Sequence, residues 1–154
     1  MKKVGDIVRG RQLQFVQDGA TVYEAACFMS EKKIGAVPVL SGDRLVGVFS
    51  ERDLMTRVVC AGRDARATTI REVMTADLVV ADPDDTHDEC IAKMAARGCR
   101  HLPVVQQGRL LSFLSLRDLL RVDLEEKTEA LAMMNYYVQY IPPEIEQKLR
   151  DSSS

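Results

Sequence analysis

The sequence predicts an α/β fold in which a strand–helix–strand–strand–helix unit occurs twice and a helical tail follows. Three observations carry that reading. Residues 34–54, IGAVPVLSGDRLVGVFSERDL, return as residues 99–119, CRHLPVVQQGRLLSFLSLRDL. Pro38 and Pro103, Ser50 and Ser115, and Asp53 and Asp118 are each 65 residues apart. The pattern Thr-x-x-Glu that opens a helix recurs at Thr21 and Thr86 with the same offset. A repeat at fixed spacing sets the architecture before any single element does. Each copy is too short to hold a comfortable core by itself, so the two are expected to pack on each other as one body.

Within the first copy, residues 1–20 offer a short apolar pair, Ile7 and Val8, and then LQFV at 13–16, which alternates well enough for a short strand. Thr21 and Glu24 form a capping box for a helix, and Val22, Ala25, Ala26 and Met29 share one of its faces. Apolar runs at 37–40 and 45–49, separated by the turn residues SGDR, read as a hairpin. Pro38 has no N–H for a ladder and belongs at a strand start or edge. Ser50 and Asp53 cap a second helix that ends near Ala61 and Gly62.

Residues 61–67 make a linker, and Thr69 with Glu72 caps a short turn that holds Ile70, Val73 and Met74. The cycle restarts with a strand at 78–80. Thr86 and Glu89 then cap a helix whose Cys90, Ile91 and Met94 face inward. A second hairpin covers 102–105 and 110–114, and Ser115 with Asp118 caps the last helix of the repeat. The expected divisions are 1–66, 67–122 and a helical extension 123–154. In that extension Leu124, Leu131, Met134, Val138 and Ile141 make a loose apolar stripe, crowded by Tyr136, Tyr137 and Tyr140, and Pro142-Pro143 ends the helix.

Composition limits the partners. The chain of 154 residues is 46% hydrophobic and 29% charged, ordinary for a soluble globular protein. Its net charge of −2 argues against nucleic acid, which needs a basic surplus. Lys2 and Lys3 are not followed by an apolar run, so the first residues do not read as a signal peptide, and no stretch approaches membrane-spanning length. Cys27, Cys60, Cys90 and Cys99 form no C-x-x-C pair and read as reduced, mostly buried thiols of a cytoplasmic protein.

The chemistry lies where each hairpin runs into a helix. Ser50 and Ser115 stand at helix starts, whose free N–H groups and positive dipole end suit an anion. Asp53 and Asp118, one turn inside, offer carboxylates to which a diol can donate. The same Ser-x-x-Asp pattern is what a capping box requires, and the two readings are compatible. Arg52 and Arg117 either reach phosphates or are exposed first-turn residues. Arg100-His101 in the second copy stands where the first has Gly35-Ala36, which suggests unequal clefts, the one near Arg100 suiting a polyphosphate or dinucleotide. Ser112 replaces Gly47, and the turn glycine moves by one position, to Gly108 from Gly42. His87 reads as an exposed first-turn residue.

The paired pattern GAVPV…GVFSxxD and RHLPV…SxxD, over residues 1–122, resembles a tandem pair of cystathionine-β-synthase-type (CBS) domains, of the stand-alone bacterial kind. The resemblance implies a pseudo-two-fold pair packed sheet to sheet, which binds adenosine nucleotides (AMP, ADP, ATP or NAD) in clefts between the sheets and associates through helices into a homodimer. It implies ribose contacts for Asp53 and Asp118, and phosphate proximity for Ser50 and Ser115. Ala36, Val37, His101 and Leu102 would border base or phosphate, and segments near Val8 and Thr75 would cover the adenine. Hydrogen bonds to a charged acceptor contribute about 1.5–3 kcal/mol each. Micromolar binding needs roughly 8 kcal/mol, so buried adenine must supply much of the rest.

Other chemistry is absent from the pattern. Gly42-x-x-x-x-Gly47 is followed by Val48-Phe49 where a phosphate loop needs Lys-Ser/Thr, and there is no G-x-S-x-G, H-E-x-x-H or G-x-G-x-x-G. Two histidines without matched partners make neither a zinc site nor a triad. The sequence therefore predicts a non-catalytic nucleotide sensor without a metal. The rival reading is a constitutive interaction subunit that docks a protein target through the 124–141 helix and carries vestigial clefts.

Overall fold

Thr21, Ser50, Thr86 and Ser115 each open a helix in the same way. The hydroxyl accepts the N–H three residues on, and the Glu or Asp there accepts the N–H of the capping residue. These boxes punctuate a computed structural model that describes residues 2–139 and 143–152. In chain order it contains α1 (Val4–Val8), β1 (Val16–Gln17), α2 (Val22–Lys32), β2 (Ala36–Ser41), β3 (Arg44–Ser50) and α3 (Glu51–Asp53), which widens into a π-helical stretch, Leu54–Val59. There follow α4 (Ile70–Val73), α5 (His87–Arg97), β4 (His101–Gln106), β5 (Arg109–Ser115), α6 (Leu116–Gln139) and α7 (Pro143–Asp151).

The mixed α/β architecture and the repeat are as the sequence predicts. β2 pairs antiparallel with β3, β4 pairs antiparallel with β5, and the register slips at Val39/Leu40 in one hairpin and at Val104/Val105 in the other. β1 lies parallel to β2 through Val16–Val39. The two halves approach each other along β3 and β5. Residues up to Leu119 form one compact unit and those from Leu120 a second. Among the described residues no helix is long and apolar enough to cross a membrane.

Each repeat buries its own apolar cluster, yet each borrows one helix from outside. Val16, Val22, Ala25, Met29, Val37, Val39, Phe49 and Val58 pack with Ile70 and Val73 of α4. Ala81, Cys90, Met94, Leu102, Val104, Leu114 and Leu119 pack with Val4 and Val8 of α1. The backbone records the same exchange. Val4 and Gly5 donate to the carbonyls of Asp85 and Pro83 at 2.8 Å, while Ile70 and Arg71 donate to those of Ala20 and Asp18 at 2.9 and 3.1 Å. The chain thus enters the second repeat, builds the first, completes it with the linker, and returns. Ile7 and Val8, expected only as an apolar pair, belong to the helix α1.

Four other expectations need correction. The strand at 78–80 does not form; only Ala81 bridges to Val104, the counterpart of Val16 on Val39. Pairing stops there because the Asp82 N–H donates to the Asp85 carboxylate and Pro83 follows. The strand expected at 13–16 is confined to Val16–Gln17. His87 is 1% exposed, not a surface residue, because it occupies the place of the buried Val22. Cys27 and Cys60 are exposed, and only Cys90 is buried; Val22, Ala25 and Met29 hold the core face of α2 and turn Cys27 outward. In the tail, Leu124, Leu131, Met134, Tyr136, Tyr137 and Val138 are exposed along α6, while Tyr140, Ile141 and Pro142 lie outside the described residues.

Candidate functional site

The hairpin register brings the motif residues together. Ala36 sits opposite Ser50, and His101 opposite Ser115, so the strand entrance and the helix start of each repeat are cross-strand neighbours. The Ser50 N–H and Oγ both lie 3.0 Å from Asp53 Oδ2, and Ser115 N–H donates to Asp118 Oδ2 at 3.0 Å. The helix N–H groups of Glu51 and Leu116 bond to the carbonyls of Gly35 and Arg100, which ties the loop before each strand to the same corner.

Beyond that shared frame the two carboxylates differ. Asp53 has both oxygens engaged by its own chain: Thr75 Oγ1 donates to Oδ1 at 3.3 Å, and Arg57 Nε stands 3.6 Å from the same atom. Asp118 accepts Arg11 Nη1 at 3.0 Å on Oδ2, and among the described residues no hydrogen bond reaches its Oδ1. Burial pushes Asp118 toward protonation. Hydrogen bonds from Arg11 and Ser115 outweigh it and hold the carboxyl below the ordinary value.

His101 stacks on Phe113 with ring centroids 5.4 Å apart. Burial, and then the charge of Arg100, lower its pKa, while Asp118 and Glu51 oppose them. A residue of the first repeat, Glu51, is thus felt by a residue of the second. The groups around His101 come from both halves.

The sequence-predicted site residues fall into four groups. Ser50, Asp53 and Ala36 gather at one corner with Thr75, and Ser115, Asp118 and His101 gather at the other with Arg100 nearby. Val37 and Leu102 are fully buried in the apolar clusters, and Val8 lies in the second cluster, so all three support the corners from behind. Arg52 and Arg117 are exposed, and neither side chain makes a hydrogen bond or ion pair among the described residues. Thr75 reaches the Asp53 corner because Thr75 and Val48 exchange backbone hydrogen bonds at 2.9 Å, an approach that the bare Gly47 permits. Ser112, 3% exposed, fills the equivalent place in β5.

Sequence reasoning missed Arg11 and Arg57. Arg57 was legible as the residue one helical turn after Asp53. Arg11 carried no signal, because its partner is 107 residues away.

Comparison with known proteins points to one family. The family model described as "CBS domain" matches residues 4–59 and 70–125. "CBS domain-containing protein YhcV" of Bacillus subtilis is 32% identical over 130 residues, which cover 84% of this chain and 92% of the relative. A solved structure of a protein with CBS domains from Burkholderia ambifaria has a TM-score of 0.76 at 34% identity, covering 80% of this chain and 95% of that one. The crystal structure of CBSX2 in complex with AMP has a TM-score of 0.71 at 26% identity, over 82% of this chain and 99% of that one.

Proposed function

This chain belongs to the CBS domain family, and from that premise we propose that it is a regulatory module that binds an adenosine nucleotide at the Asp118 corner and catalyses no reaction. One observation carries the choice of corner. Asp118 Oδ1 is open to a donor, whereas both oxygens of Asp53 are engaged within the chain. A ribose diol donates to the free oxygen of Asp118, and the phosphate lies toward the Ser115 helix start. His101, Arg100 and Arg117 border the ligand. Ser50, Asp53, Arg52, Ala36 and Thr75 form the weaker, second site, with Val37 buried behind it. The AMP bound to the similar CBSX2 supports the ligand class.

The reading extends to the whole chain. Residues 1–66 and 67–122 act as the paired repeats, 123–154 as an output segment, and two chains associate as a cytoplasmic homodimer. A ligand shifts an equilibrium only by its differential affinity, so binding reports by favouring one arrangement of the repeats over another.

Thermal-shift titration with AMP, ADP, ATP and NAD tests this. A ligand at a hundredfold excess over its Kd stabilises by about 2.7 kcal/mol, which gives a rise in Tm. No shift up to millimolar concentration with any of the four would leave the proposal without support. It would favour a second reading, an interaction subunit that works through α6, whose Leu131, Met133, Met134, Tyr136, Tyr137 and Val138 are all at least 60% exposed.

A further inference from the structure

We infer that Arg11 sets the ligand preference of the Asp118 site by selecting a phosphorylated nucleotide over a neutral nucleoside; this rests on the reading that a nucleotide binds there. Arg11 lies outside both copies of the repeated motif. It is nevertheless held in place by the backbone. Val4 and Val8 are locked in the second apolar cluster, Gly10 turns the chain with φ 76°, and the Arg11 N–H closes that turn on the Val8 carbonyl at 3.1 Å.

From there its guanidinium meets Asp118 Oδ2, beside the Ser115 N–H and away from Oδ1. An arginine has five N–H donors, and Asp118 uses one of them. The side chain is 36% exposed, so the rest of the fork remains accessible. At the other corner the cation is tied to the backbone. Arg57, the cation nearest Asp53, spends its Nη1 on the carbonyls of Val73 and Met74 at 3.3 and 2.8 Å, and Thr75 brings only a neutral hydroxyl.

The electrostatic consequence concerns charge, not shape. A carboxylate that accepts a ribose diol also repels the phosphate a few ångströms along the same ligand. A guanidinium on that carboxylate cancels the repulsion and offers charge-assisted donors to the phosphate. A neutral nucleoside gains nothing from either effect. Removing the arginine therefore penalises the phosphorylated ligand alone.

The experiment is calorimetric titration of the full chain with adenosine and with AMP. Wild type is expected to bind AMP more tightly. In Arg11→Gln, AMP affinity falls roughly tenfold, the equivalent of about 1.4 kcal/mol, and adenosine affinity is unchanged. Arg11→Lys, which keeps the charge, retains most of the preference. The exchange removes a part-exposed ion pair worth about 0–1 kcal/mol, so the variants fold. Equal weakening of both ligands, an unchanged ratio in Arg11→Gln, or the same loss of preference in the Lys and Gln variants would overturn the inference while the binding site stands. Wild type that binds neither ligand would overturn the site and the inference together.

Discussion

Gly47 and Met74 meet with no room between them: a Cβ on Gly47 would stand 2.5 Å from the Met74 sulfur and 3.0 Å from the carbonyl oxygen of Thr75. The missing side chain is what lets the linker lie against β3 and deliver Thr75 to Asp53. Gly47→Ala should therefore destabilise the fold by about 1–3 kcal/mol, the range for overpacking. Methionine can rotate away, but the Thr75 carbonyl is fixed by its ladder. Urea titration should show a lower midpoint at constant slope, and an unaltered midpoint would mean that the segment yields freely.

Asp118→Ala should reduce nucleotide affinity at least tenfold, by loss of a charged acceptor worth roughly 1.5–3 kcal/mol. The same change removes the capping partner of Ser115, at about 1 kcal/mol of stability, so the protein stays folded. Calorimetry on the variant decides; wild-type affinity would place the ligand elsewhere.

His101 gives stability a pH dependence. Its folded-state pKa lies below the ordinary 6.5 because burial and Arg100 disfavour the imidazolium. The unfolded chain therefore binds more protons just below that value, and stability falls as pH drops from there toward the folded pKa. Asp118, also lowered, acts with the same sign in the acid range: its contribution is present above the unfolded carboxylate value and is lost below it. His101→Phe keeps the ring against Phe113 and abolishes the first effect. Urea midpoints between pH 7 and pH 5 should become flatter in that variant, and an identical slope would assign the dependence to another group.

Removing residues 123–154 should leave a folded core and change self-association, since α6 carries most of its exposed apolar side chains, from Leu124 to Val138, beyond that point. Light scattering that gives the same mass per particle scaled to chain length would exclude the tail from assembly.

The repeat made much of this legible. One offset located both hairpins, both Ser–Asp corners and four capping boxes, because each depends on local sequence. His87 was legible too: the same offset places it on Val22, and only its polar character argued for the surface. The borrowed helices were not legible. Residues 4–8 and 70–73 find their partners in the opposite repeat, and neither periodicity nor composition encodes a contact so distant in sequence. Arg11 stayed hidden for that reason, as its position follows from where α1 docks. The strand expected at 78–80 lies before the ladder starts, since pairing with the hairpin begins only at Val16 in one repeat and Ala81 in the other.

The seating of α1 has a consequence for timing. On the ribosome, Val4 and Val8 are made about a hundred residues before Leu114 and Leu119, the side chains that shelter them. At roughly 5–20 residues per second, those valines wait on the order of 5–20 seconds in a nascent chain before their cluster is complete. The first repeat can close once α4 has emerged, but the second can be sealed only by a segment synthesised before the whole of the first.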